Sequence, residues 1–114
     1  MSNCIFCDIA AGKMDTEILY EDKNIVAFAD ANPQAPVHIL VIPRKHIESI
    51  KDIEKDEFDL VGEIHRVIVK LAEEHDIAGS GFRIVNNCGN EGGQTVDHLH
   101  FHLLGGRALS WPPG

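Results

Sequence analysis

Apolar and polar positions along the chain change period several times, and each change marks an element. Phe58, Val61, Ile64, Ile68 and Leu71 recur at steps of three and four, and Leu60, Val67 and Ala72 widen the stripe. That spacing predicts one long amphipathic helix from about Glu54 to His75, with Ser49 or Asp52 as cap and Gly79-Ser80-Gly81 closing it. Ile18 to Glu21 and Ile25 to Ala29, separated by the turn residues Asp22-Lys23-Asn24, read as a hairpin. His38 to Pro43 is a near-continuous apolar run ended by proline, which predicts a central strand buried on both faces. Phe82 to Asn86 alternates and predicts another strand, and Ile5, Phe6, Ile9 and Ala10 predict a short helix that Asn3 can cap. The stretch from His98 to Leu104 alternates most regularly and predicts the last strand. Strands of about five residues around one crossover helix give a small α+β sheet domain.

The last strand carries the chemistry. Side chains on a strand alternate between faces, so His98, His100 and His102 share one face while Leu99, Phe101 and Leu103 share the other. An imidazole can serve as nucleophile, acid, base or metal ligand near neutral pH. Half-buried, hydrogen-bonded histidines are the plain reading of such residues, and a catalytic zinc on the three His is a sharper rival. The loop Asn87 to Thr95 runs directly into this strand. Its glycines at 89, 92 and 93 let backbone N–H groups approach an anion closely. Asp30 opens a loop stiffened by Pro33 and Pro36, a good place for a binding group, and His38 stands at the entrance of the central strand. Cys4 and Cys7 have zinc-knuckle spacing but supply only two of four ligands, so the others would have to be His. Packed thiols are the alternative, and a redox pair lacks its βαβ context. His65 and His75 fall among the polar residues of the long helix and read as solvated.

Length and composition narrow the function. A chain of 114 residues is one domain with an ordinary apolar fraction of 44%. Its formal net charge of −8 argues against a general nucleic-acid or bilayer surface, though a small phosphorylated ligand still fits a local site. The start, Met1 to Cys7, has neither the basic region nor the apolar run of a signal peptide, and nothing reads as membrane-spanning. Three cysteines suit a reducing cytoplasm. A histidine nucleophile attacks phosphorus readily, and there is no Walker loop or carboxylate cluster for magnesium. These features favour metal-free nucleotidyl transfer over kinase chemistry.

His98-Leu-His-Phe-His-Leu-Leu104 resembles the signature of the histidine triad (HIT) superfamily. Asp30 to His38, Val41 to His46, Gly92-Gly-Gln-Thr95, Gly105-Gly-Arg107 and Trp111-Pro-Pro-Gly114 extend the likeness over nearly the whole chain and are similar to the Hint branch of purine nucleoside phosphoramidases. The resemblance implies a HIT-like antiparallel sheet of about five strands with one long helix and a short N-terminal helix, continuous across a homodimer. It implies cleavage of adenosine 5′-phosphoramidates to the nucleoside monophosphate through a nucleotidyl-histidine on His100. His102 would contact the phosphate, and His98 and His38 would order the site. Asp30 would accept the ribose hydroxyls, while Ile5, Phe6, Ile9, Phe28 and Ala31 would line the purine pocket. Asn87, Gly93, Gln94 and Thr95 would hold the phosphate and help the leaving amine. No catalytic cofactor is expected, but superfamily members with this Cys pair imply a structural zinc on Cys4, Cys7, His46 and His98. Two departures stand out: Thr95 where Ser is usual, and Asp97 where an aromatic residue is common. A nucleotide-binding adaptor with incidental hydrolysis and a dinucleoside polyphosphate hydrolase are the alternative functions, the latter opposed by the Trp-Pro-Pro-Gly tail.

Overall fold

A computed structural model describes residues 3–114; Met1 and Ser2, part of the stretch read as lacking a leader, lie outside the described residues. The chain forms α1 (Ile5–Ala10), β1 (Ile18–Glu21), β2 (Ile25–Ala29), β3 (Val37–Pro43), α2 (Phe58–Glu74), β4 (Phe82–Val85) and β5 (Phe101–Gly105). The five strands make one antiparallel sheet in the order β1-β2-β3-β5-β4. Among the described residues no helix is long and apolar enough to cross a membrane.

Alternation along the strands sorts the apolar side chains onto two faces. Ile25, Ala27, Ile39, Val41, Leu99, Phe101 and Leu103 point to the α2 side, where they meet Ile64, Val67, Ile68 and Leu71. Val26, Phe28, Leu40 and Ile42 point the other way and form a smaller cluster with Phe6 and Ile9 of α1. β3 contributes to both clusters, as its unbroken apolar run requires.

Three boundaries differ from expectation. The cap of α1 is Cys4, whose Sγ accepts the Cys7 N–H at 3.2 Å, in place of Asn3. The long helix is entered through short 3₁₀ turns at Ile50–Asp52 and Lys55–Glu57, and Glu54 and Glu57 form a capping box in which the Glu57 carboxylate accepts the Glu54 N–H at 3.0 Å. Ser49 spends its hydroxyl on Asp52 at the first of these turns. The third change matters most, because β5 begins at Phe101, three residues later than the pattern predicts. Val41 faces Phe101, so the same register would set Pro43 opposite Leu99, and proline has no N–H for a ladder. The Leu99 N–H turns to the Ile47 carbonyl at 2.6 Å. His98 and His100 therefore keep their alternation but leave the ladder, and other bonds hold their backbone.

Candidate active site

His98, His100, His102 and His38 form a row on the α1 side of the sheet. His98, His100 and His38 are buried, and His102 is half-buried. The ring centroids of His38 and His102 lie 5.1 Å apart, those of His102 and His100 5.2 Å, and Phe6 meets His100 edge-on at 5.1 Å. Backbone partners decide which nitrogen of each ring carries the proton, because a carbonyl only accepts and an amide N–H only donates. His100 Nδ1 lies 2.7 Å from the His98 carbonyl, so it carries the proton and leaves Nε2 as a bare lone pair. The Gln34 N–H points at His38 Nδ1 at 3.0 Å, so neutral His38 carries its proton on Nε2. That Nε2–H reaches His102 Nδ1 at 2.9 Å, with the Asp30 carboxylate 3.4 Å away. His102 Nδ1 is then an acceptor, and its own proton sits on Nε2. The row thus sets one imidazole lone pair, on His100, beside one imidazole donor, on His102. Burial lowers the pKa of His38 and of His98, and burial together with the neighbouring His100 and His38 brings His102 down to about 4. A neutral ring at pH 7 is what His102 needs to serve as a neutral donor.

Beyond His98 lies a second cluster. His98 Nε2 donates to the Pro43 carbonyl at 2.9 Å, which frees its Nδ1 to face Cys4 Sγ at 3.1 Å and Cys7 Sγ at 3.4 Å. His46 Nδ1 lies 3.3 Å from both Cys7 Sγ and His98 Nδ1, and the four atoms are within 4.8 Å of one another. Tetrahedral zinc with ordinary Zn–S and Zn–N bonds sets its ligand atoms about 3.3–3.8 Å apart. The donor set and its spacing fit that ion. Asp30, His38 and His102 also converge within 4.8 Å, but here the protons do not fit a metal, since Gln34 occupies His38 Nδ1 and leaves Nε2 protonated.

The family described as "Scavenger mRNA decapping enzyme C-term binding" matches residues 3–110. A HIT-like protein of Chlamydia pneumoniae is 49% identical over 105 residues, covering 92% of this chain and 94% of the relative. The chain belongs to the histidine triad (HIT) family. Its fold is similar to the crystal structure of a HIT family hydrolase from Legionella pneumophila Philadelphia 1, with TM-score 0.96, 48% identity and coverage of 98% and 100% of the two chains. A histidine triad protein from Clostridium difficile superposes with TM-score 0.94 at 50% identity, over 96% of each chain.

The remaining expected site residues of this HIT protein fall into three groups. Phe6, Ile9 and Phe28 are buried together, Phe6 meeting Phe28 at 5.5 Å between ring centroids. Ile5 is exposed and lines a cavity of about 690 Å³ with Cys4, Cys7, His46, Thr95 and Asp97; Ala31 is exposed on the loop after Asp30. In the glycine loop, Gly93 adopts φ +81° and Asn87 Nδ2 bonds the Gly92 carbonyl at 2.7 Å. Gln94 stitches this loop: its Oε1 accepts the Gly89 N–H at 3.0 Å, and its Nε2 donates to the carbonyls of Glu48 and Val96. His65, read as solvated, instead packs edge-on against Phe101 at 5.2 Å. The pattern gave no role to Asn86, whose Nδ2 holds the His100 carbonyl at 2.9 Å, nor to the Gln34 N–H and the Pro43 carbonyl that fix two tautomers. Only Asn86, polar at the end of an alternating strand beside the loop, carried a signal.

Proposed function

We propose that this HIT protein is a nucleotidyl-transferring hydrolase that cleaves purine nucleoside 5′-phosphoramidates to the nucleoside monophosphate. The observation that carries the reading is the pinned Nδ1–H of His100, which leaves Nε2 as a bare lone pair on the ring next to the His102 donor. The related Legionella protein is described as a HIT family hydrolase, which agrees. In the proposed reaction His100 Nε2 attacks phosphorus and the P–N bond breaks, the amine leaving with a proton relayed from solvent by the Thr95 hydroxyl. The His98 carbonyl stabilises the imidazolium that forms, through the Nδ1–H it already accepts. His102 Nε2–H and the N–H groups of the glycine loop hold the phosphoryl oxygens. Water then attacks phosphorus on the adduct, releases the monophosphate and returns His100 to its neutral form. Asp30 takes the ribose hydroxyls, and Phe6, Ile9 and Phe28 give the purine its apolar wall. A homodimer is part of this reading, since β1 and β4 are outer strands on which a sheet can continue.

Zinc belongs to the proposal as a structural ion. Cys4, Cys7, His46 and His98 would hold it, and when bound it supplies a crosslink between the N-terminus and the strand ends. Elemental analysis of protein prepared without chelators should give one zinc per chain in the wild type and none in Cys4→Ser. A wild-type value near zero would remove the ion.

The reaction is tested by mass spectrometry of protein quenched during turnover of adenosine 5′-phosphoramidate. An added adenylate on His100 is expected, and His100→Ala should lose several orders of magnitude in kcat. Near-normal turnover by that variant would refute the mechanism. A nucleotide-binding adaptor would instead bind AMP yet turn over no phosphoramidate.

A further inference from the structure

The loop from Asp30 to Pro36 is gripped from outside the site. After β5 the chain passes flat against it: Gly106 adopts φ +92°, and a Cβ there would sit 2.9 Å from Pro36 Cβ. The next residue, Arg107, donates through Nε and Nη2 to one acceptor, the Gln34 carbonyl, at 3.2 and 2.9 Å. Its Nη1 bonds the Ala108 carbonyl at 3.0 Å, which orients the guanidinium. Gln34 also ties its side chain to the Asn32 carbonyl at 3.0 Å. Its N–H, one bond series away from the gripped carbonyl, is the group that points at His38 Nδ1.

We propose that Arg107 is a positioning residue for the phosphate-facing imidazole. By holding the Gln34 carbonyl it keeps the Gln34 N–H on His38, which fixes the Nε2–H tautomer of His38 and, through it, the donor edge of His102. The inference rests on the reading above, in which His102 Nε2–H meets the phosphoryl group. The chemistry is directional. If the loop slackens, neutral His38 can move its proton to Nδ1, and Nε2 then presents a lone pair to both His102 Nδ1 and the Asp30 carboxylate. His102 then either parts from His38 or moves its own proton to Nδ1 to restore the bond, and in both cases Nε2–H is no longer its fixed donor edge. A charged fork on a single carbonyl is a stronger hold than one neutral bond, and Arg107 reaches no atom of the triad itself.

The test compares Arg107→Gln and Arg107→Lys with the wild type in the full-length chain. Imidazole ¹⁵N shifts read the tautomer, with the His38 resonances identified by their loss in His38→Asn. The wild type should show a single Nε2–H form at His38, the Gln variant a mixture, and the Lys variant an intermediate, since Lys keeps the charge and loses only the fork. Turnover of adenosine 5′-phosphoramidate should fall about tenfold in kcat for the Gln variant, with KM changed less than about twofold, and Lys should restore part of it. An unchanged Nε2–H tautomer at His38 in the Gln variant overturns the proposal, as does a Lys variant no better than Gln in both readouts. Should the Gln variant fail to fold, the Lys variant carries the same comparison. If the wild type turns over no phosphoramidate, the proposed reaction falls, and the tautomer readout alone decides the role of Arg107.

Discussion

Asn86→Ala removes one hydrogen bond and tests how His100, the proposed nucleophile, is held. Asn86 directly follows β4, and its Nδ2 bonds the His100 carbonyl at 2.9 Å, while β5 takes up the ladder only at Phe101. The side chain therefore does for His100 what a strand neighbour does for Phe101. Losing a neutral bond of this kind costs about 1 kcal/mol net, and leaving the buried carbonyl without a partner raises this to about 1–3 kcal/mol. For a domain of this size each kcal/mol lowers the melting midpoint by about 4 °C, so a drop of roughly 4–12 °C is expected. Looser seating of His100 should also cost about tenfold in the single-turnover rate, equivalent to about 1.4 kcal/mol of transition-state stabilisation. Asn86→Asp should do worse, because a carboxylate offers the carbonyl no donor and repels it. Thermal melts and rapid-quench kinetics on the same preparations measure both effects. A variant that melts earlier but reacts at the wild-type rate would show that Asn86 supports the fold alone. Unchanged stability and rate together would refute the account of the missing ladder.

Acidification should destabilise the fold. His102 has its pKa depressed from 6.5 to about 4, so between these values the unfolded chain binds a proton that the folded chain refuses. Stability is full above pH 6.5 and falls as the pH drops toward 4, by about 3 kcal/mol at most; His102→Gln should flatten that part of the curve in urea melts at stepped pH. Gly92→Ala would set a Cβ 2.3 Å from the Cys88 carbonyl oxygen, so about 1–3 kcal/mol should be lost, whereas Gly79→Ala, with nothing within 4 Å, should stay within about 0.5 kcal/mol. Comparable melting midpoints for the two would count against a tight phosphate loop. Calorimetry should find AMP bound more tightly than its 2′-deoxy analogue by roughly 1.5–3 kcal/mol, and Asp30→Ala should abolish the difference.

Periodicity located every strand and the long helix because each buries a face, and burial writes its period into the residues. It also separated Leu99, Phe101 and Leu103 from the histidines, a division that holds even where the strand does not. What it could not show is where the ladder stops. That depends on Pro43, distant in sequence, meeting Leu99 across the sheet, a fact of register and not of local pattern. The histidines themselves were legible as a group because three at period two are conspicuous. Their proton positions were not, since these follow from backbone atoms of Gln34, Pro43 and His98, and main-chain groups are alike at every residue. The Cys pair suggested a metal by spacing; the fold brings its two histidines from 39 and 94 positions away. Arg107 entered only as part of the likeness at Gly105-Gly-Arg107, with no role attached, because nothing local shows that its guanidinium reaches the Gln34 carbonyl.

The two sides of the sheet are unequal in a way that bears on how the protein can fail. The α2 side carries the larger cluster, while the α1 side rests on six core residues and a helix of six residues. A helix that short has no stability alone and exists only while docked. Its undocking is a local event, of lower free energy than global unfolding, because the α2 cluster is packed on the opposite face of the sheet. Amide exchange should accordingly divide the molecule, α1 opening first and the centre of β3 last. Since Phe6 walls His100 and Cys4 and Cys7 face His98, the same opening would disarm the site in a chain that still scatters, sediments and shows the dichroism of an intact fold. Loss of activity and loss of structure are thus separable events in this protein, with the first six-residue helix as the latch between them.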